Sequence, residues 1–287
     1  MSKRITFGSL MIAALAGIFW VEWTSENAWY EGLALAVLCV GLAVVGFLEI
    51  ARMADKTGLG ALPTSGIIGS VAIGTFPYWW SLIDSGAGQL QWSPMVATRL
   101  MLLLMGMVVV LVFVEQMVRY RTAGAIGRIA CTFLALAYIS VGTALIISLR
   151  LTHGMDLLLL FLVAVKFTDM GAYFTGKAFG KHKMIPWLSP GKSWEGLAGG
   201  LAIAAGASAL AVRIMGIKEI ATWEALVFGA VVGAAGQLAD LCESLLKRSA
   251  DVKDSGALVP NFGGVLDMVD SPLLSIPVAT ALLWVFL

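Results

Sequence analysis

The chain has 287 residues, of which 59% are hydrophobic and only 13% are charged, and its formal net charge is +1. Soluble domains carry about 25% charged residues because most of their surface faces water. Together with a mean hydropathy of +0.90, this composition predicts an all-α, polytopic membrane protein and excludes a soluble two-domain protein. The near-neutral charge leaves no basic surface for a nucleic-acid partner.

Nine apolar runs are long enough to cross a bilayer, which requires about 20 mostly apolar residues. They cover residues 5–22, 31–51, 64–83, 95–118, 127–149, 155–175, 195–214, 222–245 and 271–287. No small-residue cleavage site follows the first run, which favours a retained span over a signal peptide. With the N-terminus in the cytoplasm, fourteen of the nineteen Lys and Arg residues lie on the cytoplasmic side, four lie on the other side, and Lys166 lies within a span. This positive-inside bias predicts nine transmembrane helices with a cytoplasmic N-terminus.

The two parts of the chain differ in polarity. Residues 1–150 contain the first five runs, joined by short polar turns, and are predicted to form a scaffold. Glu49 and Glu115 lie at span ends in this part and are predicted to be solvated there. Residues 151–287 contain the last four runs and nearly every polar cluster, so we expect the functional site in this part.

The sixth run contains ionisable residues, each of which costs at least about 2.5–3.5 kcal/mol at the centre of a span. Lys166, Asp169, Tyr173 and Lys177 follow one another at spacings of 3, 4 and 4, which places them on one helical face. These residues predict a functional site. The alternative is a Lys166–Asp169 pair that only holds the helix bundle together.

The eighth run carries a polar stripe, and two further carboxylates come just before the last run. The stripe consists of Gln237, Asp240, Glu243, Ser244 and Lys247, and the later pair is Asp267 and Asp270. Carboxylates from two segments that meet at a membrane face repel one another unless a cation lies among them. Oxygen ligands without His or Cys favour Mg²⁺, and nearby Lys and Arg favour a phosphate as the bound anion.

Two loops contain glycines and cations. The segment 253–271 includes Gly263 and Gly264, whose backbone N–H groups could approach a phosphate closely. The segment 176–196 includes Gly191-Lys192-Ser193, but Pro186 stands where a P-loop needs glycine. Ser193 is instead predicted to cap the seventh helix, with the amide end facing a phosphate. His182 is predicted to be a solvated basic residue.

These motifs together resemble the phosphatidate cytidylyltransferases, also called CDP-diacylglycerol synthases. The motifs that carry the resemblance are Ser244, Leu246-Lys247-Arg248, Lys253-Asp254, Pro260, Gly263-Gly264, Asp267 and Asp270, with Asp169 to Gly180 and Ser189 to Gly196 upstream. The resemblance covers roughly residues 165–271. Two positions depart from it: Phe262 replaces the usual His before the glycine pair, and Met268 replaces the usual Arg after the first Asp.

The resemblance implies that CTP and phosphatidate react to give CDP-diacylglycerol and pyrophosphate, with Mg²⁺ as cofactor and the number of cations left open. It implies Asp240 and Asp267 as metal ligands, with Asp270 and Glu243 either as additional ligands or as residues that support the ligands from behind. The implied catalytic residues are Ser244, Lys247, Arg248, Lys253 and Asp254, and the implied substrate-binding residues are Asp169, Tyr173, Lys192, Ser193, Glu195, Gly263 and Gly264. It also suggests a homodimer in a bacterial inner membrane with the active site facing the cytoplasm. A eukaryotic organelle remains the alternative location.

Three other functions are consistent with these residues. A CTP-dependent polyprenol kinase, or a nucleotidyltransferase acting on another lipid phosphate, could use the same metal and basic residues, but a kinase would release CDP rather than pyrophosphate. An ion-coupled transporter could use the intramembrane charges, although it would predict repeated halves, and the polar clusters lie in one half of the chain. A catalytically silent relative would be consistent with Phe262 and Met268.

Overall fold

The computed structural model describes Gly17 and residues 32–86, 94–256 and 263–287. The predicted span 5–22 lies outside these residues except for Gly17, as do Pro260 and Phe262. The described residues include seven helical segments that are long and apolar enough to cross a membrane. An all-α polytopic membrane protein is therefore confirmed, whereas the count of nine spans and the cytoplasmic N-terminus stay predictions.

The helices follow the predicted runs closely. They are α1 (Leu33–Lys56), α2 (Pro63–Gly86), α3 (Pro94–Glu115), α4 (Ala125–Ala135), α5 (Val141–Phe179), α6 (Trp194–Met215), α7 (Thr222–Ser249) and α8 (Leu266–Phe286), with π-helical turns at Gln116–Tyr120 and Leu136–Ser140. The segment Ala125–Phe179 has 55 residues. Both predicted spans 127–149 and 155–175 lie in it. Gly154, with φ 81° and ψ −177°, interrupts it in a conformation essentially restricted to glycine.

The first of two compact units comprises the described residues up to 152, together with 254–256 and 263–268. In this unit α1 packs against α2, and α2 packs against α3. Phe47 is fully buried, and its ring occupies the place that a Cβ on Gly66 would need, since the nearest ring carbon would be 1.9 Å away. The missing side chain thus lets two helices approach closely, as small residues do in membrane proteins.

Glu49 and Glu115 are buried at 1% and 7% exposure, so the prediction that they are solvated is wrong. Glu115 accepts hydrogen bonds from the backbone N–H of Ser65 (2.6 Å) and of Thr64 (3.3 Å). Arg119 pairs with the same carboxylate at 2.9 Å. Because the first amides of a helix lack intrahelical acceptors, Glu115 serves as a cap for α2 from another helix.

The second unit consists of residues 153–253 and 269–287, and glycines mark its helix contacts. A Cβ on Gly200 of α6 would lie 2.8 Å from the Thr168 carbonyl oxygen of α5. A Cβ on Gly229 of α7 would lie 2.5 Å from the Ala204 carbonyl oxygen of α6. The two glycines therefore let α6 pack closely against α5 and α7.

A short antiparallel hairpin joins α5 to α6, with strands β1 (Lys183–Ile185) and β2 (Ser189–Ser193). The sequence predicts only a loop here, since three-residue and five-residue strands containing Pro and Gly give no alternating pattern. Ser193 ends the hairpin and accepts a hydrogen bond from the Gly196 N–H at 3.1 Å, which confirms the predicted helix cap.

Candidate active site

Three carboxylates converge within the second unit. Asp240 and Glu243 come from α7 and Asp270 comes from α8, and each offers a ligand oxygen within 4.8 Å of the others. We call this group the acidic cluster. Glu243 is 1% exposed and Asp270 is 7% exposed. Asp240 and Glu243 are one turn apart on α7, so the helical period brings both to the same face.

Two lysines contact the acidic cluster. Lys192 Nζ, from the end of β2, lies 2.8 Å from Asp240 Oδ2 and donates a hydrogen bond to the Gln237 carbonyl at 3.0 Å. Lys247 Nζ lies 2.5 Å from Glu243 Oε2, one turn further along α7. Both lysine side chains are largely buried, at 14% and 12% exposure. Burying a carboxylate is costly unless it is paired, so each lysine offsets part of the repulsion within the cluster.

Asp169 extends this polar region from α5. It is half-buried, and its Oδ1 accepts a hydrogen bond from Gln237 Nε2 at 3.0 Å. The other three residues of the stripe in the sixth run, Lys166, Tyr173 and Lys177, are exposed. Asp169 thus contacts α7 by its hydrogen bond with Gln237.

Ser244 adjoins the acidic cluster, since it is buried and its Oγ lies 3.4 Å from Asp240 Oδ1. The remaining cationic motif residues lie at or beyond the C-terminal end of α7. Arg248 is exposed and donates a hydrogen bond to the Val252 carbonyl at 3.1 Å. Lys253 and Asp254, which follow, are exposed as well. The side chains of Arg248 and Lys253 are thus both exposed.

Glu195 and His182 pair where the hairpin meets α6. The carboxylate of Glu195 lies 2.5 Å from His182 Nδ1 and also accepts the His182 backbone N–H at 3.2 Å. The His182 side chain is 80% exposed, as predicted for a solvated residue, but it has this partner. In the structure the two residues fasten the start of the hairpin to the first turn of α6.

The first unit contains Asp267 and the predicted glycine pair. Asp267 Oδ2 accepts hydrogen bonds from the Gly264 N–H at 2.7 Å and from the Ser255 N–H at 2.9 Å. Gly263 adopts φ 93°, a left-handed value that favours glycine. The N–H of Gly264, predicted to approach a phosphate, therefore donates to Asp267.

Glu49 is the residue that sequence reasoning missed. Its carboxylate accepts the backbone N–H groups of Val265 and Leu266, at 2.9 Å and 2.8 Å. The available signal was its position as a lone acidic residue at the end of an apolar run. Asp240 was identified because an ionisable residue within a membrane span is costly and therefore suggests a specific role, and the same argument applies to Glu49.

The acidic cluster has the composition of a site for a hard cation. It supplies only carboxylate oxygens, which Mg²⁺ prefers over nitrogen and sulfur ligands. Among the described residues, Asp240, Glu243 and Asp270 are the group that could hold such an ion. Each has two carboxylate oxygens, so a contact with Lys192 or Lys247 leaves a second oxygen for coordination.

Comparison with known proteins assigns the family. The model of the cytidylyltransferase family matches residues 2–286. The chain belongs to this family. A Bacillus subtilis protein named phosphatidate cytidylyltransferase is 32% identical over 288 residues, which cover 100% of this chain and 98% of the relative.

Two further relatives with the same printed name match a shorter stretch. The Pseudomonas aeruginosa protein is 45% identical over 128 residues, covering 45% of this chain and 47% of the relative. The Haemophilus influenzae protein is 42% identical over 130 residues, covering 44% of each chain. These two matches span about half the length of the relatives, whereas the Bacillus match spans nearly all of it.

Proposed function

We propose that this cytidylyltransferase-family protein transfers the cytidylyl group of CTP to phosphatidate, giving CDP-diacylglycerol and pyrophosphate. The observation that carries the proposal is the acidic cluster with Lys192 and Lys247 in contact with it. The family match and the names of the three relatives support the substrates. Because the acyl chains of phosphatidate stay in the bilayer, an integral membrane protein suits this reaction.

The reaction needs charge compensation more than it needs a strong base. A phosphate oxygen of the lipid, already an anion, forms a bond to the α-phosphorus of CTP, and the bond to the departing pyrophosphate breaks. The barrier lies in the repulsion between the two anions and in the charge that builds up on pyrophosphate. Fixed cations aimed at such developing charge lower the barrier.

We assign roles to the residues on this basis. Asp240, Glu243 and Asp270 would hold Mg²⁺, which when bound supplies positive charge to phosphate oxygens. Asp267 is proposed as a further ligand from the resemblance alone. Lys192 and Lys247 are proposed to transfer their contacts from carboxylate to phosphate when substrate binds. The accessible Arg248 and Lys253 would hold the triphosphate.

The further substrate contacts and the membrane orientation are also proposals. Asp169, which accepts a hydrogen bond from Gln237, would contact the substrate from α5, and the capped start of α6 would offer its amides to a phosphate. We propose a cytoplasmic N-terminus and an active site at the cytoplasmic face of a bacterial inner membrane. CTP would then arrive from the cytoplasm and phosphatidate from the bilayer.

The test is an assay of the purified full chain in phosphatidate-containing vesicles with cytidine-labelled CTP. We expect label in the lipid fraction and an equal amount of pyrophosphate, both stopped by a chelator and restored by Mg²⁺. Release of CDP with a phosphorylated lipid would instead identify a kinase. Absence of any CTP turnover in folded protein would contradict the proposal.

A further inference from the structure

The carboxylate of Glu49 caps the helix that begins at Leu266. Glu49 lies on α1 and is 1% exposed. Its Oε1 accepts the Val265 N–H at 2.9 Å, and its Oε2 accepts the Leu266 N–H at 2.8 Å. Amides at the start of a helix have no intrahelical partner, and negative charge there is favoured by the helix dipole. Glu49 thus ties the start of α8 to a helix more than 200 residues earlier.

Ser255 connects this cap to Asp267. The Ser255 hydroxyl oxygen lies 2.9 Å from Glu49 Oε2 and also 2.9 Å from Asp267 Oδ2. A hydroxyl has one proton, so it donates to one of these carboxylates at a time. The Ser255 N–H donates to Asp267 Oδ2 as well, at 2.9 Å. Ser255 therefore links the Asp267 side chain to the Glu49 carboxylate, and the position of Asp267 depends on these hydrogen bonds.

Two glycines allow the backbone to approach Glu49. A Cβ on Gly256 would lie 2.6 Å from Glu49 Oε1, and a Cβ on Gly264 would lie 2.5 Å from Glu49 Oε2. Real Cβ atoms do not come so close to an oxygen. The backbone at Gly256 and the backbone at Gly264 thus both lie close against the Glu49 carboxylate.

We infer that Glu49 is a positioning residue for the reaction: it holds residues 254–256 and 263–268 in the arrangement that orients Asp267. This inference rests on the proposed function, in which Asp267 is a metal ligand. Glu49 itself touches neither substrate nor cation in the proposal. Its effect passes through Ser255 and the start of α8.

The geometry determines which substitutions are informative. Glu49→Gln keeps the side-chain size but leaves one acceptor oxygen, and it turns an NH₂ group towards a donor. Glu115→Gln is the matched control, because Glu115 is also a buried glutamate in the same unit that caps a helix with its carboxylate. Ser255→Ala is a milder second variant that keeps the Glu49 carboxylate and removes only the bridging hydroxyl.

The first measurement is hydrogen–deuterium exchange of the full chain in the absence of metal and substrate. In Glu49→Gln we expect the amides of residues 263–268 to exchange at least about tenfold faster than in wild type. The peptides of α7 should keep their wild-type exchange rates. In Glu115→Gln, faster exchange should be confined to the start of α2. If Glu49→Gln fails to fold, Ser255→Ala should show faster exchange in residues 263–268.

The second measurement separates kcat from KM. Glu49→Gln should lower kcat at least about tenfold, while KM for CTP changes less than about threefold, since no proposed substrate contact is removed. Glu115→Gln should keep wild-type kcat. Unchanged exchange of residues 263–268, or faster exchange with unchanged kcat, would overturn the inference. An equal loss of kcat in both variants would reveal a general folding effect and overturn it too. Wild type without cytidylyl transfer would contradict only the proposed function, because the exchange result would stand.

Discussion

Lys192 Nζ lies 2.8 Å from Asp240 Oδ2 and 3.0 Å from the Gln237 carbonyl oxygen. The lysine comes from the hairpin, and both acceptors lie on one turn of α7. A cation from a short connecting element is thus placed against the polar face of a membrane helix. The role proposed for Lys192 is to exchange this carboxylate oxygen for a phosphate oxygen when substrate binds.

Asp240→Asn is expected to abolish Mg²⁺-dependent conversion of labelled CTP into lipid while the protein still inserts in the membrane. The substitution removes the charge of one cluster member and its ion pair with Lys192. Label in extracted lipid measures turnover. Asp251→Asn is the control, because Asp251 is exposed and Asn tolerates its φ of 53°. Near-normal turnover in Asp240→Asn would show that Asp240 is not a metal ligand.

Asp267→Asn and Asp270→Asn should both lose Mg²⁺-dependent activity. Asp270 belongs to the buried acidic cluster, whereas Asp267 accepts hydrogen bonds from Ser255 and Gly264. We expect losses of at least about a hundredfold in each, the size seen when one group that stabilises developing charge is removed. Titration of activity against Mg²⁺ is the measurement. A variant with wild-type Mg²⁺ dependence would identify a carboxylate that is not a ligand.

Lys192→Met should lower kcat/KM for CTP by about a hundredfold, roughly 2.7 kcal/mol, through loss of one cation near the phosphates. Steady-state kinetics on vesicles would measure this effect. Lys218→Met makes the same chemical change at an exposed residue of the α6–α7 connection and should keep wild-type kinetics. Equal kinetics for the two variants would contradict a substrate contact by Lys192.

Phe262→His should leave activity within about tenfold of wild type, roughly 1.4 kcal/mol of barrier. Phe262 replaces the His that the resemblance leads us to expect, and the proposed chemistry needs no strong base. Initial rates at saturating CTP and phosphatidate provide the measurement. A much larger gain would mean that the natural chain is impaired at this position.

Gly200→Ala should destabilise the second unit by about 1–3 kcal/mol, the usual cost of inserting a group into a packed contact. The new Cβ would lie 2.8 Å from the Thr168 carbonyl oxygen, a backbone atom that cannot rotate away. Thermal unfolding in detergent would show a lower Tm. Gly206→Ala, on the same helix with nothing within 4 Å of the new Cβ, should keep the wild-type Tm. Equal Tm values would contradict the packing described for α5 and α6.

The sequence by itself determined the membrane class, the approximate helix bounds and most of the polar face of α7. Hydropathy and the helical period are local properties, so the spacing from Asp240 to Lys247 already indicated one face. Capping is equally local, which is why Ser193 could be identified as the cap of α6. These features need only neighbours within a few residues along the chain.

Only the tertiary structure decided which distant groups meet. Lys192 was expected to bind substrate, but its contact with Asp240 depends on a hairpin too short to show an alternating pattern. Glu49 was expected in solvent, yet it accepts the Val265 N–H from 216 residues further along the chain. Such contacts depend on how the packed helices bring distant segments together. The local periodicity of the sequence carries no information about which distant segments meet.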